Sequence, residues 1–311
     1  MNSIKNILVV VDPTASDQPA LHKAGLLAAK LHASIELLAC DTKASAALRF
    51  AHRMTGRATA PSPSLQAWLE DLAQPLRSEG IEVTTSAIAG DPLVKTLLAW
   101  FKNSPADLVM KDTHHHSGLK RTFLGNTDWH LIRECPIPLL LTKPTAWRKP
   151  LIVAAAIDPP LNASSEDFLD RRILDCTVSI ARPMQASVLA VHTYFPNIVA
   201  AAASCPQPNF FNVTPEMLET EKALHETALA PLLEPYGISK QCVEMGVASA
   251  CLPAIAEEQA IDVLVMGAIS RSHAKQALLG STAERLLEFL PCDVLVVKEA
   301  CFADCLPLYG T

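Results

Sequence analysis

Hydrophobic and polar positions follow two rhythms along this chain. Ile7-Leu8-Val9-Val10-Val11 is an unbroken apolar run that stops at Asp12-Pro13. Such runs form strands buried on both faces, as in a parallel sheet. From Gln18 to Leu31 the apolar residues fall at helical spacing instead (Leu21, Ala24, Leu27, Ala28, Leu31). The alternation continues with a strand over Ser34 to Cys40, a helix over Leu65 to Glu79 and a strand over Ile81 to Ile88. After the turn Gly90-Asp91-Pro92 come a helix over Leu93 to Asn103, a strand at Leu108-Val109-Met110, a helix over Thr127 to Glu134 and a strand over Ile137 to Thr142. Thr42 to Ser62 has no clear period and reads as a loop with some helix. Lys143 to Pro150 reads as a linker.

The second half repeats the order. Strands are predicted over Leu151 to Ile157, Ala186 to His192, Ile238 to Met245, Asp262 to Met266 and Val294 to Val297. Helices are predicted over Glu166 to Ala181, Glu216 to Tyr236, Leu252 to Gln259 and Ala283 to Leu290. Each half therefore alternates five strands with four helices. That order predicts an α/β fold in which each half is a doubly wound, five-stranded parallel sheet with helices on both faces. The expected division is residues 1–144 and 150–299, with a tail at 300–311. The two halves are related without a gap: a shift of 155 residues carries Asp107 onto Asp262, Leu124 onto Leu279, Gly125 onto Gly280, Thr127 onto Thr282, Pro136 onto Pro291 and Lys143 onto Lys298. The last strands, Ile137 to Thr142 and Val294 to Val297, are apolar edges that mutual pairing would remove. An intramolecular pseudo-dimer of the two halves is expected, with further homodimerisation left open.

Composition narrows the classes of function. A net charge of -6 with 19% charged residues leaves no basic footprint for nucleic acid. No apolar run reaches the roughly 18–20 residues of a membrane span. The chain opens straight into a strand with no signal peptide. Nine scattered cysteines without a CxxC pair point to a reduced, cytoplasmic protein.

Several motifs together resemble the universal stress protein family in its tandem form. They are the apolar strand ending in Asp12, its looser copy ending in Asp158, the Gly90-Asp91-Pro92 turn, and the endings Cys135-Pro136-Ile137 and Pro291-Cys292-Asp293-Val294-Leu295-Val296-Val297. The segment Thr113-His114-His115-His116 and the stretch Thr127 to Arg133 are most similar to the E-type bacterial members. The resemblance implies two Rossmann-like domains of the adenine nucleotide alpha hydrolase-like kind and a role in stress resistance. It also implies ligand sensing rather than dedicated catalysis, with ATP or a related adenine nucleotide as ligand, and magnesium admitted beside it.

The family's hallmark is Gly-x2-Gly-x9-Gly-(Ser/Thr). Its glycines let backbone approach the phosphates, and the helix that follows offers unpaired N–H groups. The second half keeps Gly267, Gly280, Ser281 and Thr282 and has Ser270 at the second glycine, with Asp158 in place for the base. The competing reading is a capping box, Ser281-Thr282-Ala283-Glu284. In the first half the two upstream glycine positions are Asp112 and His115. Only Gly125, Asn126 and Thr127 survive there with Asp12, and Asn126 reads equally as an N-cap.

Other chemistry is weaker. His114 and His116 share a face of an extended segment and are candidate metal ligands, but no fourth ligand is indicated and zinc is not expected. The apolar stretch Asn197 to Phe211 reads as a helix packed on the core or as the lining for an apolar, lipid-like ligand. No catalytic constellation stands out. Slow ATP hydrolysis, with Asp158 as its testable residue, is a third alternative.

Overall fold

The computed structural model describes residues 4–41, 64–115, 122–123, 125–159, 168–197, 199, 213–268 and 286–298. By contact the chain divides into two compact units, 1–146 with 293–311, and 147–292.

In the first unit the elements run β1 (Asn6–Val10), α1 (Pro19–Leu31), β2 (Ser34–Asp41), α2 (Leu65–Ser78), β3 (Val83–Ala89), α3 (Leu93–Asn103), β4 (Leu108–Asp112), β5 (His114–His115), β6 (Thr122–Phe123), α4 (Asn126–Glu134) and β7 (Leu139–Thr142). Five strands lie parallel in the order β7-β4-β1-β2-β3. The chain thus reverses direction across the sheet between β1 and β4, the arrangement that leaves a crevice at the carboxyl ends of those strands. The central strands are buried along most of their length: Leu8, Val9, Leu37, Leu38, Val109 and Met110 are all inaccessible to solvent, whereas the edge strand β3 is largely part-exposed. Helix α1 packs on β1 and β4, α2 on β2 and β3, and α3 against β2 and α4. The small antiparallel ribbon β5–β6 was not expected, since two-residue strands leave no period to read.

The sheet of the first unit has a sixth member. Strand β12 (Asp293–Val297) pairs antiparallel with β7. The last strands therefore meet, as their apolar edges predicted. Their register is centred on Leu140↔Leu295, residues equivalent under the 155-residue shift, and it matches Leu141 with Val294 and Leu139 with Val296. At the start of β12, Asp293 is buried. Its carboxylate accepts from Lys23 Nζ at 2.9 and 2.7 Å and from the Lys143 amide at 2.8 Å. At the other end, Lys298 Nζ donates to the Cys135 carbonyl at 2.6 Å.

The second unit holds β8 (Ile152–Ala156), α5 (Phe168–Ala181), β9 (Ser187–Tyr194), α6 (Pro215–Leu233), a 3-10 turn over Glu234–Tyr236, β10 (Gln241–Met245), α7 (Ala248–Glu258) and β11 (Val263–Gly267). Its strands run parallel in the order β10-β9-β8-β11. Helix α7 begins a turn before the expected Leu252, directly after the Gly246–Val247 corner. Strand β10 begins at Gln241 rather than Ile238.

One device recurs in both units. Asp107 Oδ2 accepts the amides of Lys5 and Asn6 at 2.8 and 3.0 Å, at the start of β1. Its equivalent Asp262 accepts the amides of Arg148 and Ile152 at 3.1 and 2.9 Å, at the start of β8. Each aspartate fastens the first strand of its unit to the fourth. Both copies of the repeat carry Asp there for this physical reason.

Candidate functional site

In the first unit the crevice lies where β1 and β4 end and α1 and α4 begin. The turn after β1 is closed from within. Asp12 Oδ1 accepts from the Thr14 amide and hydroxyl at 2.8 and 2.6 Å, while the Gln18 side chain spans the Asp12 backbone. Asp112, at the end of β4, turns its carboxylate onto the N-terminus of α1. Its Oδ1 accepts the Ala20 amide and the Thr142 hydroxyl, both at 2.6 Å. Burial raises the Asp112 pKa above the usual carboxylate value, against the lowering effect of those two hydrogen bonds.

The helix after the loop is closed in the same way. Its N-cap is Gly125, one residue earlier than the Asn126 expected from sequence. Asn126 is the first helical residue, and the capping comes from Asp128 three residues into the turn. Asp128 Oδ2 accepts the Gly125 amide at 2.8 Å, and the Asp128 amide returns a bond to the Gly125 carbonyl. Lys111 Nζ sits 2.8 Å from Asp128 Oδ1 as an ion contact. Asn126 is exposed and Thr127 half-buried. Two helix N-termini that would suit an external anion thus carry the protein's own carboxylates.

The second unit differs at two of these points. Gly267 stands where the first unit has Asp112, and Ala283 where it has Asp128. A Cβ on Gly267 would come within 2.8 Å of a Leu169 methyl, so close packing of α5 is one reason for glycine there. The Asp158 amide donates to Asp170 Oδ1 at 3.0 Å, the role Gln18 plays for Asp12. The Asp158 carboxylate accepts no hydrogen bond from a described residue and is 73% exposed. Ser270, Gly280, Ser281 and Thr282 lie outside the described residues. His116 lies outside them too, and His114 is described only as strand backbone. Of the stretch Asn197 to Phe211, only 197 and 199 are described.

A buried polar group that sequence reasoning misses lies beside Asp158. His192, on β9, is 2% exposed, and His225, on α6, is 7% exposed. A carbonyl needs a donor, so the 3.0 Å contact with the Ile157 carbonyl puts the neutral His192 proton on Nδ1. His192 Nε2 then accepts from His225 Nδ1–H at 2.8 Å. Tyr194 stacks on His225 at 4.1 Å between ring centres. Asp158 Oδ1 approaches His192 Nδ1 to 3.8 Å. Burial lowers the His225 pKa, helped by the neighbouring His192 and opposed by Glu221 and Asp158. The strand registers place Ala39 of the first unit where the second has His192, so the pair belongs to the second unit alone. The sequence carries a signal for one member only: His225 shares the buried stripe of α6 with Leu229, Leu232 and Leu233.

Burial pushes the Cys135 thiol up to about 11 and Cys176 up to about 12, so neither is primed as a nucleophile. Among the described residues no group of three or more His, Cys, Asp or Glu is arranged to hold a metal ion, and no helix is long and apolar enough to cross a membrane.

Comparison with known proteins gives a consistent picture. The model of the universal stress protein family matches residues 3–143 and again 170–298. Universal stress protein E of Escherichia coli K12 is 26% identical over 307 residues, covering 96% of this chain and 95% of the relative. The universal stress protein E homolog of Haemophilus influenzae is 24% identical over 308 residues, covering 94% and 97%. Among solved structures, a functionally unknown protein from Pseudomonas aeruginosa PAO1 superposes with a TM-score of 0.74 at 27% identity, covering 97% of this chain and 95% of that one. A universal stress protein from Archaeoglobus fulgidus shares the fold with a TM-score of 0.66 at 18% identity, over 94% and 98%.

Proposed function

Because the chain belongs to the universal stress protein family, with two matching domains in tandem, we propose that it is a cytoplasmic stress-response protein whose second unit binds an adenine nucleotide such as ATP while the first serves structure. The observation that carries this reading is the asymmetry of the two crevices. In the first, Asp112 and Asp128 occupy the amides that phosphates would need, and their negative charge repels an anion from both helix ends. The second has Gly267 and Ala283 at those positions and an open Asp158 carboxylate suited to the donors of a base or ribose. Gly280, Ser281 and Thr282 supply the phosphate contacts in this reading, on the strength of their sequence pattern. Magnesium would accompany the phosphates in this reading.

Calorimetry tests the reading with ATP on the intact protein and on Gly280→Trp, which fills the loop. One ATP per chain, lost in the variant, is expected. Equal heats from both proteins, or none from either, would refute it.

A second reading is favoured by a different observation. Phe168, Phe195, Met245 and Val247 are 63%, 55%, 48% and 54% exposed, and all four flank the carboxyl ends of strands in the second unit. Exposed apolar side chains at the carboxyl ends of strands, where ligands bind in such sheets, suit an apolar small molecule. Native mass spectrometry of gently purified protein would show it as a co-purifying mass, and a bare chain would count against it.

A further inference from the structure

We infer that the buried Lys23–Asp293 ion pair makes the joining of β7 and β12 heterotypic: it admits the chain's own β12 to that edge and rejects a second copy of β7. The backbone cannot make this choice. Because the register is centred on Leu140↔Leu295, residues equivalent by the repeat, β7 laid against the β7 of another chain would form the same ladder. Nor do the apolar side chains discriminate strongly, since Leu139-Leu140-Leu141 and Val294-Leu295-Val296 are of similar size and character.

The discrimination lies at the end of the ladder. Lys23 is 4% and Asp293 2% exposed. The ammonium donates to both Asp293 oxygens and, at 2.8 Å, to the Lys143 carbonyl, so all three of its protons have acceptors. Asp293 Oδ1 also receives the Lys143 amide. Under the 155-residue shift the position of Asp293 in the first half is Pro138, which brings no carboxylate. A β7–β7 pairing would therefore bury Lys23 without this carboxylate in both copies. A β12–β12 pairing would bury Asp293 without its ammonium in the same way. Removing one partner of a buried pair costs far more than removing both, and this makes the pair a device against wrong partners rather than a source of net stability.

The test uses the full chain with Leu140→Cys as reporter. Homotypic pairing puts the reporter thiol opposite the same thiol of a second chain, within reach of a disulfide. In-chain pairing puts it opposite Leu295. Proteins are refolded from urea, oxidised, and scored by mass spectrometry for the peptide in which two reporter thiols are joined. The reporter alone is expected to give little of it. Adding Lys23→Met and Asp293→Asn, which removes both charges and keeps an acceptor for the Lys143 amide, is expected to raise its yield by about tenfold or more. Equal yields in the two backgrounds would overturn the inference, as would abundant reporter-to-reporter disulfide with the ion pair intact. Should the triple variant fail to fold, Asp293→Asn with the reporter is judged by the same two criteria.

Discussion

Replacing Asp262 by Asn should damage the protein far more than replacing its repeat equivalent Asp107 by Asn. The two aspartates do the same job with different atoms. Asp262 uses Oδ1 for the Arg148 amide and Oδ2 for the Ile152 amide. Asn has one acceptor oxygen, so Asp262→Asn keeps one of these bonds and turns an NH2 group toward the other N–H. A hydrogen bond to a charged acceptor is worth about 1.5–3 kcal/mol, and the orphaned amide adds its desolvation cost, so the loss should be about 2–4 kcal/mol. The Arg148 guanidinium, 3.7 Å from Oδ1 and half-exposed, offsets little of this. Asp107 receives both amides on Oδ2. In Asp107→Asn the single carboxamide oxygen can take both, and only the charge assistance is lost, about 0.5–1.5 kcal/mol. Urea unfolding gives the two stabilities. Hydrogen exchange at the β1 and β8 amides assigns each loss to its own unit, which matters because two units need not unfold in one step. Equal losses in the two variants, or a neutral Asp262→Asn, would show that the atom-by-atom account of this clamp is wrong.

Other outcomes follow from buried charges. Burial lowers the Lys298 pKa from 10.5 to about 8, so between those values the unfolded chain binds more protons and stability rises with pH; Lys298→Met should lack this rise, worth at most about 3 kcal/mol, in unfolding curves taken from pH 7.5 to 10. The His225 pKa is depressed, so its contribution is lost as pH falls through the unfolded value near 6.5; His225→Phe, which keeps the stack on Tyr194, should flatten the dependence of Tm between pH 7 and 5. The Asp112 pKa is raised, so its contribution weakens as pH rises above the unfolded value near 3.8; both its donors meet Oδ1, hence Asp112→Asn should fold normally and be no less stable at pH 7 by urea titration.

The central strands of both units are legible because runs such as Ile7 to Val11 and Val263 to Val265 are buried on both faces and carry no competing signal. Boundaries slip where polar residues continue an element. Strand β4 extends through Lys111 and Asp112 because each has a specific partner at the crevice, and α7 starts at Ala248 ahead of its first large apolar residue. The degeneracy of the first crevice can be read from Asp112 as a misplaced charge. Its occupation of the Ala20 amide cannot, since the two residues lie 92 positions apart. Residue type alone makes Asn126 a cap, whereas the geometry gives that role to Gly125 and Asp128. The His192–His225 pair stays hidden for the same reason as the Ala20 contact: it joins a strand to a helix 33 residues later, and a lone histidine in an apolar stripe announces no partner.

Strand β12 also sets an order for biosynthesis. The first unit is complete in sequence at β7 except for one strand, and that strand is made last. Roughly 150 residues separate Thr142 from Asp293, which at the usual pace of synthesis is on the order of 10–30 s. Throughout that interval the outer edge of β7 has no β12 beside it and Lys23 has no Asp293, so the nascent first unit presents an apolar strand edge next to the Lys23 ammonium. A charge at such an edge deters pairing with other nascent chains. The same lysine that anchors the finished sheet thereby guards the unfinished one on the ribosome.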